Sequence, residues 1–341
     1  MLKTKLIFGI TIGIVCISFG VLAATPEVDG DIRIRIQSRT GDANSLMKGT
    51  VTITRVRLNA DFPIHDQVSL YGRLAVEQAG DKVHNNGLYD TAGVFDRWGM
   101  NWKYKNGIVK IGRQDVVIGQ EGLVLTTLID AVGENNQLTG VTAIWKEGEN
   151  SFKLVGGRLG EGLFQPLPKV KANLYALQVD HKVNQRLSIG ATYRQIATID
   201  HYSSAMAGVY LSAYPGVIKT YSLLGSYYLD HKTIGYTEFG YSNAQQYNGG
   251  FGLGVAHMID KKNSYSINYF NQGKNSGLFR NWGAPDFARN ISNANTSWIG
   301  YALYYRHQMN RKTLLEISDY YEQGNVNSGA NQFRVALLTN F

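Results

Sequence analysis

The last eleven residues, 331–341, constrain this chain more than any other stretch. Taken two at a time, Phe333, Val335, Leu337, Thr339 and Phe341 share one face of a strand. Arg334, Ala336 and Asn340 share the other face, with Leu338 as the single apolar intruder. A strand that is apolar on one side, mostly polar on the other and closed by an aromatic suits the wall of a membrane barrel. An ordinary half-buried edge strand carries the same alternation, so the opposite end of the chain has to decide between them.

That end carries an export address. Lys3 and Lys5 form a short positive region, residues 6–22 are largely apolar, and Val21, Leu22, Ala23 and Ala24 offer a small-residue cleavage site. This is the layout of a secretory signal peptide over residues 1–23, cut after Ala23 or Ala24. An uncleaved signal anchor is the rival, because the stretch is nearly long enough to span a bilayer. The charged and Pro residues that follow at once favour cleavage. Cys16, the single cysteine, lies in this segment and leaves with it as apolar filler; Ile14 and Val15 do not fit a lipoprotein signal. The mature chain, 24–341, then has no disulfide available to it.

Beyond the signal no apolar run is long enough for a spanning helix. Tyr 21 and Gly 38 with few Pro, and little of the Ala/Leu/Glu/Lys richness of helices, favour an all-β chain. The formal charge of +8 falls to +6 without Lys3 and Lys5. The basic residues are spread along alternating strands, which argues against nucleic acid as a partner.

The chain repeats a beat of strand, short charged turn, strand, longer loop. Short turns fall at 63–67, 105–107, 147–150, 183–185, 230–232, 259–263 and 308–312, and longer polar stretches lie near 40–49, 80–92, 116–137, 160–171, 200–217, 243–249, 273–295 and 323–330. This predicts a transmembrane antiparallel β-barrel of about sixteen strands, with short periplasmic turns and longer extracellular loops. Ile32, Ile34 and Ile36 alternate with Arg33, Arg35 and Gln37; Val56, Leu58, Ala60 and Phe62 oppose Arg55, Arg57, Asn59 and Asp61. Leu70, Leu74 and Val76 oppose Tyr71, Arg73 and Glu77. An Arg facing lipid near the midplane costs about 2–4 kcal/mol, so the arginine faces point inward. Strand 108–115 breaks the rule, because Lys110 and Arg113 fall on opposite faces; a bulge or a rim position would settle it. A soluble sandwich shows the same alternation, but not several Arg in series on its polar faces, nor aromatics near strand ends such as Trp98, Trp102 and Tyr104.

With its signal peptide, its strand count, terminal Phe341 and a long segment after the fifth strand, the mature chain resembles bacterial outer-membrane porins of the sixteen-stranded general-diffusion kind. The resemblance implies an outer-membrane location in a Gram-negative-type bacterium, a homotrimer, contact with lipopolysaccharide, and insertion machinery that reads the terminal strand. It also implies a water-filled channel for small hydrophilic solutes, with an acidic constriction loop facing a basic wall. The Pro-Glu-Phe-Gly-Gly-Asp loop motif of enterobacterial porins is missing, as is the lysine-rich set of phosphate-selective relatives. Trimerisation and solute preference are therefore inherited only as expectations.

The candidate constriction is 116–137, which is longer than an ordinary connection. Leu123, Val124, Leu125, Leu128 and Ile129 suit packing on an inner wall, and Glu121, Asp130 and Glu134 supply charge. A further strand over 121–130, or an outward loop, is the alternative. The opposing wall would be Arg33, Arg35, Arg55, Arg57 and Arg73, each of which could line the pore or simply pair with Asp61, Glu77 or lipopolysaccharide phosphate. Such a field orients dipolar solutes, and the basic excess gives a mild anion preference. No nucleophile elbow, zinc-protease motif or phosphate loop points to an enzyme. Asp29 and Asp31 alone are too few ligands for calcium, so no metal and no cofactor are expected. The alternatives are a substrate-selective channel for organic anions or sugars and a non-conducting structural or adhesive barrel. Deleting Phe341, or Phe341→Asp, should lower the yield of folded barrel seen as heat-modifiable mobility on gels; an unchanged yield would remove its role as an insertion signal.

Overall fold

The computed structural model describes residues 25–41, 49–79, 91–120, 138–159, 172–198, 217–243, 248–273, 297–324 and 329–341. The signal peptide expected at 1–23 lies outside the described residues, as do Glu121, Asp130 and Glu134.

Among the described residues the chain is sixteen strands and no helix. The first eight are β1 (Glu27–Gly41), β2 (Gly49–His65), β3 (Val68–Ala79), β4 (Thr91–Tyr104), β5 (Gly107–Gln114), β6 (Leu138–Glu147), β7 (Asn150–Leu159) and β8 (Ala172–Lys182). The rest are β9 (Leu187–Thr198), β10 (Val217–Tyr228), β11 (Thr233–Ser242), β12 (Gly249–Met258), β13 (Asn263–Gln272), β14 (Trp298–Gln308), β15 (Thr313–Gly324) and β16 (Ala330–Asn340). Each pairs antiparallel with its sequence neighbours, and β1 pairs with β16 to close the barrel. Closure matters because a sheet edge in hydrocarbon would leave backbone N–H and C=O groups without partners.

The two faces separate as the alternation requires. Ile32, Ile34 and Ile36 are 40%, 46% and 49% exposed on the outer wall, while Arg33 and Arg35 between them are 6% and 4% exposed. At the seam Ile34 faces Leu337, Ile36 faces Val335, and the Phe341 N–H donates to the Gly30 carbonyl at 3.0 Å. The Phe341 ring lies where a Gly30 side chain would be: a Cβ there would stand 2.4 Å from it. The terminal aromatic thus covers a bare backbone position beside the seam.

Seven short turns occupy one rim. Four are built alike. Asn184, Asp230, Asp260 and Asn310 each turn Oδ1 back to accept the N–H groups two and three residues on, at 2.6–3.0 Å. The residue before each closes the loop by donating its N–H to the first residue of the next strand, as Val183 does to Leu187 and Met309 to Thr313. Both aspartates are held below the ordinary carboxyl range. For Asp230 the cause is chiefly the Lys232 N–H; for Asp260 it is chiefly the Asn263 side chain, then the Lys262 N–H.

A folded-state pKa below the unfolded one adds stability that is complete above the unfolded value, about 3.9, and is lost as pH falls through the folded value. The double variant Asp230→Asn, Asp260→Asn keeps the turn acceptors without that dependence. Its urea midpoint should therefore change less than the parent's between neutral and acid pH; parallel curves would show that these carboxylates contribute nothing to the acid limb.

Candidate functional site

The inner faces of β1 to β5 carry a connected set of charges. In register, Arg33 on β1 stands directly opposite Arg55 on β2, a like-charge pair that is unfavourable by itself. Carboxylates on the flanking positions offset it. Asp31 accepts from Arg55 Nη2 at 3.2 Å and from Arg57 Nε at 2.6 Å, and Glu77 on β3 accepts from Arg33 Nη2 at 3.5 Å. Arg35 is buried on the same face, nearer the loop rim.

A bulge extends this set to β4. Arg73 pairs with Arg97 while Leu74 pairs with Phe95, so Asp96 is an extra residue in the ladder. It brings two consecutive residues, Asp96 and Arg97, into the interior charge set. Arg73 grips Asp96 with two bonds, Nε to Oδ1 at 2.7 Å and Nη2 to Oδ2 at 2.5 Å. Asp115, just beyond β5, lies 3.9 Å from Arg73 Nη1 and forms an ion pair with Arg97.

The conflict on strand 108–115 resolves at Gly112. Its φ of +125° belongs to glycine, and a Cβ there would stand 2.2 Å from the Trp98 carbonyl oxygen. Below this break Lys110 pairs with Asn101, whose amide reaches Ser69 on the inner face. Above it Arg113 is 1% exposed and donates from Nε to the Asp96 carbonyl at 3.1 Å. Both basic residues of β5 so avoid the lipid face.

From β5 the chain turns along the inside of the barrel. Lys153 on β7 donates to the Val117 carbonyl at 2.9 Å, the Gly119 N–H donates to Gln178 on β8 at 2.9 Å, and the Gln120 N–H donates to Glu238 on β11 at 3.3 Å. Val116 and Ile118 are buried. Residues 115–120 thus link the arginine patch to the wall of β7 to β11, where Gln178, Thr192, Thr220 and Ser222 face inward beside Arg194 and Glu238. A third cluster lies on β14 to β16: Tyr304 and Tyr320 meet edge-on at 5.5 Å, with Arg306 over the first ring and Arg334 over the second, at 5.7 and 4.7 Å.

All five sequence-predicted arginines therefore share one patch. Arg33, Arg55, Arg57 and Arg73 pair with carboxylates, of which the sequence alone points only to Glu77. Asp31, Asp96, Arg97, Arg113 and Asp115 complete the patch and were not anticipated. The consecutive Asp96 and Arg97 inside an alternating strand were the available signal for a bulge. Among the described residues no group of His, Cys, Asp and Glu has metal-site geometry.

The tightest element of the patch is testable. Arg73 and Asp96 are 3% and 0% exposed, so Asp96→Ala leaves a buried guanidinium short of its main partner. The expected cost is about 3–5 kcal/mol, at the low end because Asp115 remains nearby. The pair Arg73→Gln, Asp96→Asn should cost less than the sum of the single changes. Urea unfolding of the detergent-solubilised barrel measures both; additive costs would mean the two side chains act separately.

No protein-family profile and no curated protein matches this chain. Solved structures do. A mutant of Rh. blastica porin shares 12% identity at a TM-score of 0.56, covering 93% of this chain and 100% of the other. Another mutant of the same porin gives 13% and 0.57 over the same coverage. A loop-deletion mutant of OmpT, an outer membrane protein of Vibrio cholerae, gives 14% and 0.56, covering 93% of this chain and 99% of the other. At such identities the likeness is one of fold, and it agrees with the strand order and with the apolar outer wall. In architecture, the chain is a closed sixteen-stranded antiparallel β-barrel with the fold of the porins.

Proposed function

We propose that this chain is an outer-membrane porin, a water-filled channel for passive diffusion of ions and small hydrophilic solutes with a mild preference for anions. The carrying observation is the charge balance of the inner wall. In the connected patch on β1 to β5 and the residue that follows, seven arginines (Arg33, Arg35, Arg55, Arg57, Arg73, Arg97 and Arg113) meet four carboxylates (Asp31, Glu77, Asp96 and Asp115), so that cations outnumber anions within it by three. Sixteen strands leave an aqueous lumen, and fixed charge along it attracts counter-ions. The start of the long segment, held against β7, β8 and β11, supports its role as the constriction, with Glu121, Asp130 and Glu134 opposing the arginines. Residues 1–23 are removed as a signal peptide, and Phe341 is read by the barrel-insertion machinery.

The outer wall supports a homotrimer. On β1 to β3 its exposed side chains are aliphatic apart from Phe62, as in Ile32, Ile34, Ile36, Val56, Leu58, Leu74 and Val76. From β9 to β15 it carries an aromatic belt, as in Tyr193, Tyr221 and Tyr241, with successive ring centroids 5.2 Å apart. Aromatics of that kind seek the lipid–water interface, whereas an aliphatic face suits a second copy. A second reading, a channel selective for organic anions, is favoured by the stack of Arg306, Tyr304, Tyr320 and Arg334 inside β14 to β16.

Two measurements test the channel. Neutralising Arg33, Arg35, Arg55, Arg57 and Arg73 should move the reversal potential toward cations in a salt gradient. The milder pair Arg57→Gln, Arg97→Gln, with side chains 17% and 28% exposed, should move it the same way. The shift should fade as salt rises, since the Debye length is about 10 Å at 0.1 M. Neutralising Glu121, Asp130 and Glu134 should move it toward anions. Removing 119–130 should raise conductance and admit larger sugars in liposome swelling. Indifference of the potential to both charge sets would take them out of the narrow part of the pore, and the absence of any conductance would leave a structural barrel.

A further inference from the structure

The four turns after β8, β10, β12 and β14 share more than their hydrogen bonds. Each opens on a large apolar residue that is about half exposed: Val183 46%, Leu229 56%, Ile259 47% and Met309 51%. Each closes on a cation, Arg186, Lys232, Lys262 or Lys312, with Lys261 and Arg311 beside two of them; all six are exposed. Against these six charges stand only Asp230 and Asp260, whose Oδ1 atoms are turned to the backbone, so the four turns carry a net +4. The Lys232 ammonium donates to the Ile259 carbonyl at 3.1 Å and links one turn to the next.

The other three short turns differ. Those after β2, β4 and β6 carry Asp66, Lys105 and Glu149, a net −1, and lack the apolar–Asx–x–basic pattern. The rim is therefore polarised around its circumference, basic and apolar from β8 to β15 and close to neutral elsewhere. The outer wall next to the basic arc is itself apolar and aromatic, with Tyr227, Tyr265 and Tyr305 exposed, so the turn residues continue a lipid-facing surface.

Exposed apolar side chains alternating with cations at the edge of a lipid-facing wall match an interface made of acyl chains under anionic headgroups. We propose that the turn rim from β8 to β15 is a binding surface for anionic phospholipid headgroups in the leaflet that the short turns face. Val183, Leu229, Ile259 and Met309 dip into the boundary region, while the six cations meet phosphate above them. This rests on the barrel crossing a membrane and is independent of what the lumen conducts.

The test compares spin-labelled phosphatidylglycerol with spin-labelled phosphatidylcholine on the reconstituted barrel, reading the motionally restricted lipid fraction. The parent should prefer phosphatidylglycerol by about fivefold, the factor one lysine near an anionic surface supplies, and less at high salt. Arg186→Gln, Lys232→Gln, Lys261→Gln, Lys262→Gln, Arg311→Gln and Lys312→Gln together should bring the ratio to about one. The control Lys105→Gln, on the neutral arc, should leave it unchanged. The changes lie in solvated turns and leave the Asx bonds intact, and heat-modifiable mobility reports that each variant is folded. A parent with no preference, or a sixfold variant that keeps it, overturns the proposal; the second result would point to another part of the surface as the lipid site. Single-channel recording on the same samples separates the two readings, because a lipid preference that persists in a non-conducting barrel sustains this inference and removes the channel.

Discussion

Backbone polarity in hydrocarbon is the constraint from which the rest of this structure follows. An amide group facing lipid has no water to bond, so every strand must find a partner on both sides, and the sheet has to close on itself through β1 and β16. Closure fixes an inside and an outside, and strand geometry then assigns alternate residues to each. The outer wall accepts the isoleucines, leucines and aromatics; the charges have only the interior left to occupy. A strongly charged interior lining is thus a consequence of solvation before it is one of any function.

Inside, charge of one sign is concentrated on a few strands and has to be stabilised. Direct Arg–Arg opposition across β1 and β2 is tolerable because Asp31 and Glu77 sit one step away, and the β4 bulge supplies Asp96 where regular pairing would supply no acid. These carboxylates hold the arginines in place while leaving an excess of positive charge. Ion pairs with one partner nearly excluded from water are held mainly by geometry, since the cost of desolvation offsets much of their attraction. Their contribution is positional: they fix guanidinium groups to a wall that faces an aqueous space.

Much of this was legible in the residues. Period-two alternation, turn chemistry and the two termini led to sixteen strands and to the seven short turns, because each of those features depends only on neighbours in sequence. The arginine faces were legible for the same reason. What escaped depends on pairing. Asp96 looks like one more charge until the register shows it to be an inserted residue, and Gly112 looks like any strand glycine until its positive φ shows why Arg113 joins the interior. The role of Asp31 was hidden because its arginines lie on the neighbouring strand, more than twenty positions away. The repeated Asx turn was missed for a different reason: its four copies preserve residue class at each position and not residue identity.

The seam between β1 and β16 has a consequence for biogenesis. It joins segments at opposite ends of the sequence, so its hydrogen bonds are the most non-local in the sheet and are available only after every intervening strand exists. Until then β1 and the newest strand each present a bare edge, able to pair with any other chain in the same condition. Phe341 over Gly30 is the last contact of that seam, and a chain cut before β16 would retain those two edges for as long as it survived. Closure of the sheet is therefore open only to a chain that carries β16, and a chain without it keeps two adhesive edges.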